Sequence, residues 1–174
     1  MKKILLCLLI SAATLACSEE GGNGTPSLVE SHIFIDGERF EPSPPQNSIS
    51  YVTTSYEAGV VDGTANRRTF HLMRSTGTTA SDKSMSIVFT YPTAGDLDGT
   101  YDFAPADFDP TNEVQAVYSE GNDSYGFSEG TITVADLGNN KYRLSFTGAK
   151  ILNFSGGNEE IPVTGYFEGI FTEE

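Results

Sequence analysis

The chain has 174 residues and a formal net charge of −14, because 24 Asp and Glu outnumber 10 Lys and Arg. This balance excludes nucleic acid as a partner, since phosphate neutralisation needs clustered basic residues and the only adjacent basic pair beyond the N-terminus is Arg67-Arg68. Both cysteines, Cys7 and Cys17, lie near the N-terminus, so the later residues cannot supply a disulfide, a thiolate metal site or a cysteine nucleophile.

The first 16 residues have the composition of a secretory signal peptide. The basic pair Lys2-Lys3 is followed by an apolar stretch at 4–10 and by small residues that lead to Cys17. The apolar stretch is too short to span a bilayer. Because Leu15-Ala16-Cys17 matches a bacterial lipobox, we predict lipid attachment at Cys17 and a membrane partner bound through that lipid.

A flexible tether is predicted to follow the signal peptide. After Cys17 the segment up to residue 27 contains three Gly and no large apolar side chain, which is typical of a flexible linker. The remainder is long enough to bury a core without metal or disulfide. The chain therefore divides into a signal peptide at 1–16, a lipidated tether at 17–27 and a domain at 28–174.

From residue 28 onward the sequence has period two, with short runs rich in Val, Ile, Thr, Tyr and Phe between Gly, Pro, Asn and Asp clusters. It shows no convincing amphipathic helix. The predicted strands are 28–35, 38–41, 49–55, 68–74, 84–91, 99–103, 114–119, 130–135, 141–154 and 161–171. This pattern predicts an all-β fold, a single antiparallel β-sandwich or flattened barrel of about ten strands.

A β-hairpin is predicted at Asp36-Gly37, because a two-residue Asp-Gly loop between alternating apolar residues favours a type I′ turn. The register then places Ile33 opposite Phe40, with Ile35 on the same face. We expect this face to lie in the core and His32 to point outward.

The last third of the chain predicts a meander with one alternating apolar face. The residues of this face are Ile132, Val134, Tyr142, Leu144, Phe146, Val163, Phe167 and Phe171. Gly165 and Gly169 share the parity of the last two aromatic residues. Glycine inside a strand indicates curvature or a bulge where another element packs closely.

Four segments carry a resemblance to known proteins: Ile33-Phe34-Ile35-Asp36-Gly37-Glu38-Arg39-Phe40, Gly99-Thr100-Tyr101, Gly130-Thr131-Ile132-Thr133-Val134 and Gly165-Tyr166-Phe167-Glu168-Gly169-Ile170-Phe171. Together with the lipobox and the short polar tether, they resemble the small Bacteroidota outer-membrane lipoproteins of unknown function. The resemblance implies a compact all-β domain anchored by lipid to the outer membrane. It rests on turn and core residues, so it transfers no chemistry.

The residues after the lipidated cysteine extend this resemblance. Ser18, Glu19 and Glu20 resemble the acidic export signal with which that phylum carries lipoproteins to the cell surface. The resemblance therefore implies display on the outside of the outer membrane. The alternative is that the two glutamates only solubilise the tether.

The sequence offers no credible catalytic group, and we predict that the protein is not an enzyme. Residues 126–130 spell G-x-S-x-G, the nucleophile elbow of hydrolases, but that motif needs a helix after Ser128 and residues 131–134 continue as a strand. His32 and His71 are the only histidines of the sequence, and both lie in predicted strands. They are interpreted as ordinary sheet residues.

Acidic loops are the candidate ion sites. Asp96, Asp98, Asp102, Asp107 and Asp109 provide hard oxygen ligands of the kind that calcium takes. They lack the full EF-hand spacing, and Asp in turns also serves backbone hydrogen bonding. Calcium is the one candidate cofactor, and no other metal or cofactor is predicted.

Aromatic side chains are the candidate ligand contacts. Six tyrosines lie near predicted strand ends or loops, where they either stack on sugar rings or pack the rim of the core: Tyr51, Tyr56, Tyr91, Tyr101, Tyr118 and Tyr125. We predict a lipid-anchored, non-catalytic surface binding or structural module with a glycan or an envelope protein as partner. The alternatives are a glycan-active hydrolase with paired carboxylates and a subunit of a surface assembly that pairs through a strand edge.

Overall fold

The computed structural model describes residues 29–47, 49–154 and 159–174. The structure is 65% strand and 4% helix, which confirms the predicted all-β class. The strands are β1 (Val29–Ser31), β2 (Ile33–Ile35), β3 (Glu38–Phe40), β4 (Val52–Gly59), β5 (Ala65–Arg74), β6 (Lys83–Pro92), β7 (Gly99–Asp102), β8 (Glu113–Glu120), β9 (Asp123–Asp136), β10 (Lys141–Asn153), β11 (Glu160–Ile170) and β12 (Thr172–Glu173). The predicted signal peptide and tether, residues 1–27, lie outside the described residues.

Hydrogen bonding joins the strands into one sheet that curls around the core. The order along the sheet is β12-β4-β5-β6-β8-β9-β10-β11-β2-β3, with β1 paired to β11 and β7 paired to β9. Only Phe171 separates β11 from β12, yet β12 pairs in parallel with β4, which lies far from β11 in the strand order. The sheet therefore bends back on itself. The curled sheet agrees with the predicted sandwich or flattened barrel.

The long strand β9 belongs to both parts of the curl. Its first half pairs with β8, where Gly126 lies opposite Val117, and its second half pairs with β7, where Ile132 lies opposite Tyr101. On its other side, β10 pairs with both halves of β9, although the register shifts near Lys150. This strand was predicted to begin at residue 130, and that boundary is wrong. Pairing on both sides overrides the low β-propensity of its first half.

The alternation of the strands builds the core as predicted. All eight residues of the predicted apolar face in the last third are buried, and they pack against buried residues of β5 and β6 such as Phe70, Leu72 and Ile87. The predicted hairpin is also confirmed. Ile33 pairs with Phe40 and Ile35 pairs with Glu38, while Asp36 has φ 51° and Gly37 has φ 76°, the signs that a type I′ turn requires.

The first strand is split, which corrects the prediction of one strand at 28–35. Gly165 has φ +93°, and a Cβ at this position would overlap the carbonyl oxygen of His32. The strand is interrupted at His32 alone, whose backbone N–H still donates to the carbonyl oxygen of Tyr166 at 2.8 Å, and the register with β11 is the same on both sides of it. β1 pairs with one part of β11 and β2 with another. The close approach expected at Gly165 is confirmed.

Helical structure is slight in the described part of the chain. α1 (Val60–Gly63) connects β4 to β5 and contains left-handed residues, Val61 at φ 52° and Asp62 at φ 55°. A 3-10 turn spans Thr79–Ser81. No helix among the described residues is long and apolar enough to cross a membrane.

Candidate functional site

A cavity of about 270 Å³ lies between the β2–β3 hairpin and the strands β6, β8 and β9 that face it. Its wall combines apolar side chains, two tyrosines and five charged side chains: Ile35, Phe40, Ile161, Tyr118, Tyr125, Asp36, Glu38, Arg39, Lys83 and Glu120. The hairpin supplies one side of the cavity and the curled sheet supplies the other. The site therefore depends on the fold of the whole chain.

Strand alternation aims two charged side chains into this cavity. Lys83 begins β6 two residues before the buried Met85, and Glu120 ends β8 two residues after the buried Tyr118. Because side chains alternate between the two faces of a strand, Lys83 and Glu120 continue the inward rows. They are also direct partners in the register of β6 with β8. The apolar inner face thus ends in an ion pair.

This ion pair also connects the hairpin to the rest of the domain. Lys83 Nζ lies 2.8 Å from Glu120 Oε1 and 3.4 Å from Glu38 Oε2 on the hairpin. Below the charges, the ring of Phe40 packs edge-on against the ring of Tyr118 at a centroid distance of 6.1 Å. The hairpin is held by apolar packing at its base and by a charged contact at the cavity mouth.

Hydrogen bonds fix the charge states of this cluster. The pKa of Lys83 is raised, first by its hydrogen bond to Glu120. Burial acts to raise the pKa of Glu120, but hydrogen bonds from Lys83 and from Tyr118 Oη, which lies 2.8 Å from Glu120 Oε2, outweigh it and lower the pKa. Burial, followed by the hydrogen bond to Glu120, raises the pKa of Tyr118. At neutral pH the cavity therefore holds an ammonium group, a carboxylate and a neutral phenol.

We predict that Glu120→Gln makes stability less sensitive to acid. The pKa of Glu120 in the folded protein lies below its ordinary value of 4.5, so its contribution is present above that pH and is lost as pH falls through the lowered pKa. Urea unfolding at pH 6 and pH 3 measures the effect, and the loss between them should be smaller in the variant. Glu113→Gln, on the outer side of the same strand, is the control and should keep the wild-type loss. An unchanged loss in Glu120→Gln would contradict the assignment.

A second inward charge lies away from the cavity. Arg68 precedes the buried Phe70 by two residues on β5, and its guanidinium lies 5.0 Å from the ring centre of Tyr56 and 5.9 Å from that of Tyr142. Its NH1 group lies 3.5 Å from Glu173 on β12. Arg68 Nε is buried and has no hydrogen-bond partner among the described residues. The two aromatic faces stabilise this cation where hydrogen bonding does not.

The predicted lipid site lies outside the described residues. This holds for Cys17 and for the predicted export signal at Ser18, Glu19 and Glu20. The first strand, β1, begins twelve residues after Cys17, and the roles of these four residues remain predictions.

The candidate calcium ligands hold turns by hydrogen bonds to their own loops or to a neighbouring strand. Asp98 Oδ1 accepts a hydrogen bond from the backbone N–H of Asp136 at 2.8 Å. Asp102 Oδ1 accepts one from the backbone N–H of Ala104 at 2.9 Å. Asp109 accepts both the N–H and the hydroxyl of Thr111, which lowers its pKa. Asp96 and Asp107 lie exposed in neighbouring loops. The described ranges contain no group of three or more His, Cys, Asp or Glu side chains that could hold a metal ion.

The structure places Ser128 and His71 on strands, as expected, and His32 between β1 and β2. Ser128 lies inside β9, its hydroxyl 3.4 Å from the carbonyl oxygen of Lys150, and the chain continues in β9 to Asp136 without a helix. His71 is exposed between the buried Phe70 and Leu72. His32 is half-exposed, and its Nε2 forms a 2.7 Å hydrogen bond with Glu30. These three residues do not line the cavity.

The six candidate tyrosines divide between the core and its rim. Tyr91, Tyr101 and Tyr118 are buried, and burial raises the pKa of Tyr101 to about 12. Tyr56 is exposed but packs against Arg68. Tyr125 is half-buried and lines the cavity, with its ring centre 5.7 Å from that of Tyr118. Only Tyr118 and Tyr125 of the six therefore reach the candidate site.

The sequence analysis missed the charged residues of the cavity, although the sequence contains a signal for them. Lys83 lies two residues before the buried Met85, and Glu120 lies two residues after the buried Tyr118. Each therefore continues the alternation of buried apolar side chains along its strand. The strands and the hairpin that face these residues across the curl are not visible in a single sequence, so alternation alone does not mark them as a site.

Comparison with known proteins gives no match. The chain matches no protein-family model, and searches of curated proteins and of solved structures find no similar protein.

Proposed function

We propose that the protein is a lipid-anchored module of the outer-membrane surface that binds a small polar ligand in the hairpin cavity without catalysing a reaction. The lipobox at Cys17 and the acidic residues that follow it support the location. The cavity supports the binding role, because five charged side chains and two tyrosines converge on a concave surface beside the apolar Ile35, Phe40 and Ile161.

The observation that carries the binding role is the position of Lys83. Its ammonium group contacts two carboxylates that also line the cavity, Glu120 and the hairpin residue Glu38, whose side chains are 46% and 78% exposed. These carboxylates, at 2.8 Å and 3.4 Å, take two of the three N–H donors of Lys83. The third donor is the group that a ligand would engage at the cavity wall.

The charge states of the cavity support binding over glycoside hydrolysis. A glycosidase needs one carboxyl group that is protonated near neutral pH, which requires a raised pKa. Here the pKa of Glu120 is lowered by Lys83 and Tyr118 despite burial. Glu120 is therefore suited to accept hydrogen bonds and not to donate a proton.

We predict that Cys17→Ser releases the protein from membranes. Two or more acyl chains, each contributing about 0.8 kcal/mol per buried methylene, would hold the wild type almost permanently. Fractionation of cells into soluble and membrane pools, followed by protease treatment of intact cells, tests attachment and surface display. Cys7→Ser is the matched control, because Cys7 would leave with the signal peptide, and it should stay in the membrane pool. A Cys17→Ser protein that remains fully in the membrane pool would refute the proposed anchor.

A further inference from the structure

We propose that the ligand of the hairpin cavity is a neutral polyhydroxylated ring, that is, one uncharged sugar unit. This inference rests on the proposed binding function and adds the chemical class of the ligand. It is drawn from the volume of the cavity, the arrangement of its charges and the apolar part of its wall.

The volume limits the ligand to one ring. Pockets for drug-sized ligands measure roughly 300–1,000 Å³. The cavity, at about 270 Å³, lies just below this range. A longer chain of rings would have to leave through the mouth beside Glu38.

The charges favour a ligand without net charge. An anion would meet three carboxylates, Asp36, Glu38 and Glu120, and a cation would meet Lys83 and Arg39. An apolar ligand would cover these charged groups without replacing their contact with water, which is costly. A neutral molecule with several hydroxyl groups avoids all three penalties.

Hydroxyl groups also match the spacing of donors and acceptors. Each hydroxyl donates one hydrogen bond and can accept two, so it fits between an ammonium group and a carboxylate. The contact of 3.4 Å between Lys83 and Glu38 is the longer of the two ion pairs, and the contact of 2.8 Å between Lys83 and Glu120 is the shorter. The ammonium group of Lys83 has three N–H donors, so a ligand hydroxyl can accept a hydrogen bond from the third and leave both ion pairs intact.

The remaining wall is suited to the apolar face of a ring. Ile35 and Ile161 lie beside the half-buried Tyr125 in the cavity wall. A sugar ring has C–H groups on its faces and hydroxyl groups around its edge, and aromatic or aliphatic side chains contact such faces. The cavity thus presents both apolar and charged groups to such a ring.

A set of three ligands with one ring and different charges tests the inference. The full chain, in micelles of a detergent without sugar groups, is titrated at pH 7 with glucose, glucuronate and glucosamine. Amide shifts of Glu38, Lys83 and Glu120 in nitrogen–proton correlation spectra report binding. We expect these amides to respond to glucose with millimolar affinity and to respond more weakly to the two charged analogues.

Two cavity variants and one matched control locate the binding. Lys83→Met should weaken glucose binding about tenfold or more, as expected when a charge-assisted hydrogen bond is lost. Glu38→Gln, at an exposed side chain, should keep the fold and weaken binding severalfold. Lys150→Met is the control, because Lys150 also lies between two glutamates, 2.8 Å from Glu129 and 2.6 Å from Glu160, but does not line the cavity. It should leave binding unchanged.

The outcomes separate this inference from the proposed function. Stronger cavity shifts with glucuronate or glucosamine than with glucose would overturn the neutral class and keep a binding module. Absence of any response from the cavity amides to all three ligands would overturn the sugar class. The membrane release of Cys17→Ser tests the proposed location independently of both results.

Discussion

Gly165→Ala is expected to destabilise the protein by about 4 kcal/mol or more, at the upper end of single substitutions. The position has φ +93°, which L-residues rarely adopt, and a Cβ would overlap the carbonyl oxygen of His32. The overlap is with backbone, so no rotamer change relieves it. The edge segment of β1 and β2 would have to move away from β11 and lose its pairing.

Gly37→Ala separates backbone conformation from overlap. Gly37 has a similar φ of +76°, but a Cβ there would have nothing within 4 Å. Its cost should stay near the roughly 1–2 kcal/mol of a left-handed residue. Urea unfolding followed by circular dichroism measures both variants, because the chain has no Trp to report by fluorescence. Equal losses in the two variants would contradict the close packing at Gly165.

The local parts of the fold follow from the sequence. The Asp36-Gly37 turn determines the register of its hairpin, and the alternation from Ile132 to Phe171 determines which side chains are buried. Both depend on neighbours within a few residues, on turn chemistry and on the period of two along a strand. A short window of sequence around each turn or strand contains this turn chemistry and this alternation.

The remaining parts depend on contacts between distant residues. The interruption between β1 and β2 lies where Gly165 closely approaches His32. The curl of the sheet is closed by the pairing of β12 with β4. A window around either segment shows a continuous strand. Strand order and curvature therefore could not be read from the alternation alone.

The candidate site shows the same limit. The cavity exists because the β2–β3 hairpin faces Lys83 and Glu120 across the curl, and no local pattern places these segments together. The candidate calcium ligands in the acidic loops, such as Asp98 and Asp109, instead accept hydrogen bonds from backbone N–H or hydroxyl groups.

Phe70→Ala is expected to lower the free energy of unfolding by about 3–5 kcal/mol. Phe70 is fully buried on β5, and its ring centre lies 4.8 Å from that of Phe171, 4.9 Å from that of Tyr142 and 5.8 Å from that of Phe89. These edge-to-face contacts, worth about 0.5–1.5 kcal/mol each, place the expected loss toward the upper end of that range.

The location of Phe70 makes this loss informative about the curl. Phe171 joins β11 to β12, so the contact of Phe70 with Phe171 holds the two parts of the sheet together at the point where β12 reaches β4. Phe108→Ala is the control, because Phe108 is 72% exposed and its removal should change stability by less than about 0.5 kcal/mol. Since domains of this kind are stable by only about 5–15 kcal/mol, Phe70→Ala should shift the urea midpoint strongly. A shift no larger than that of Phe108→Ala would show that the ring cluster does not close the sheet.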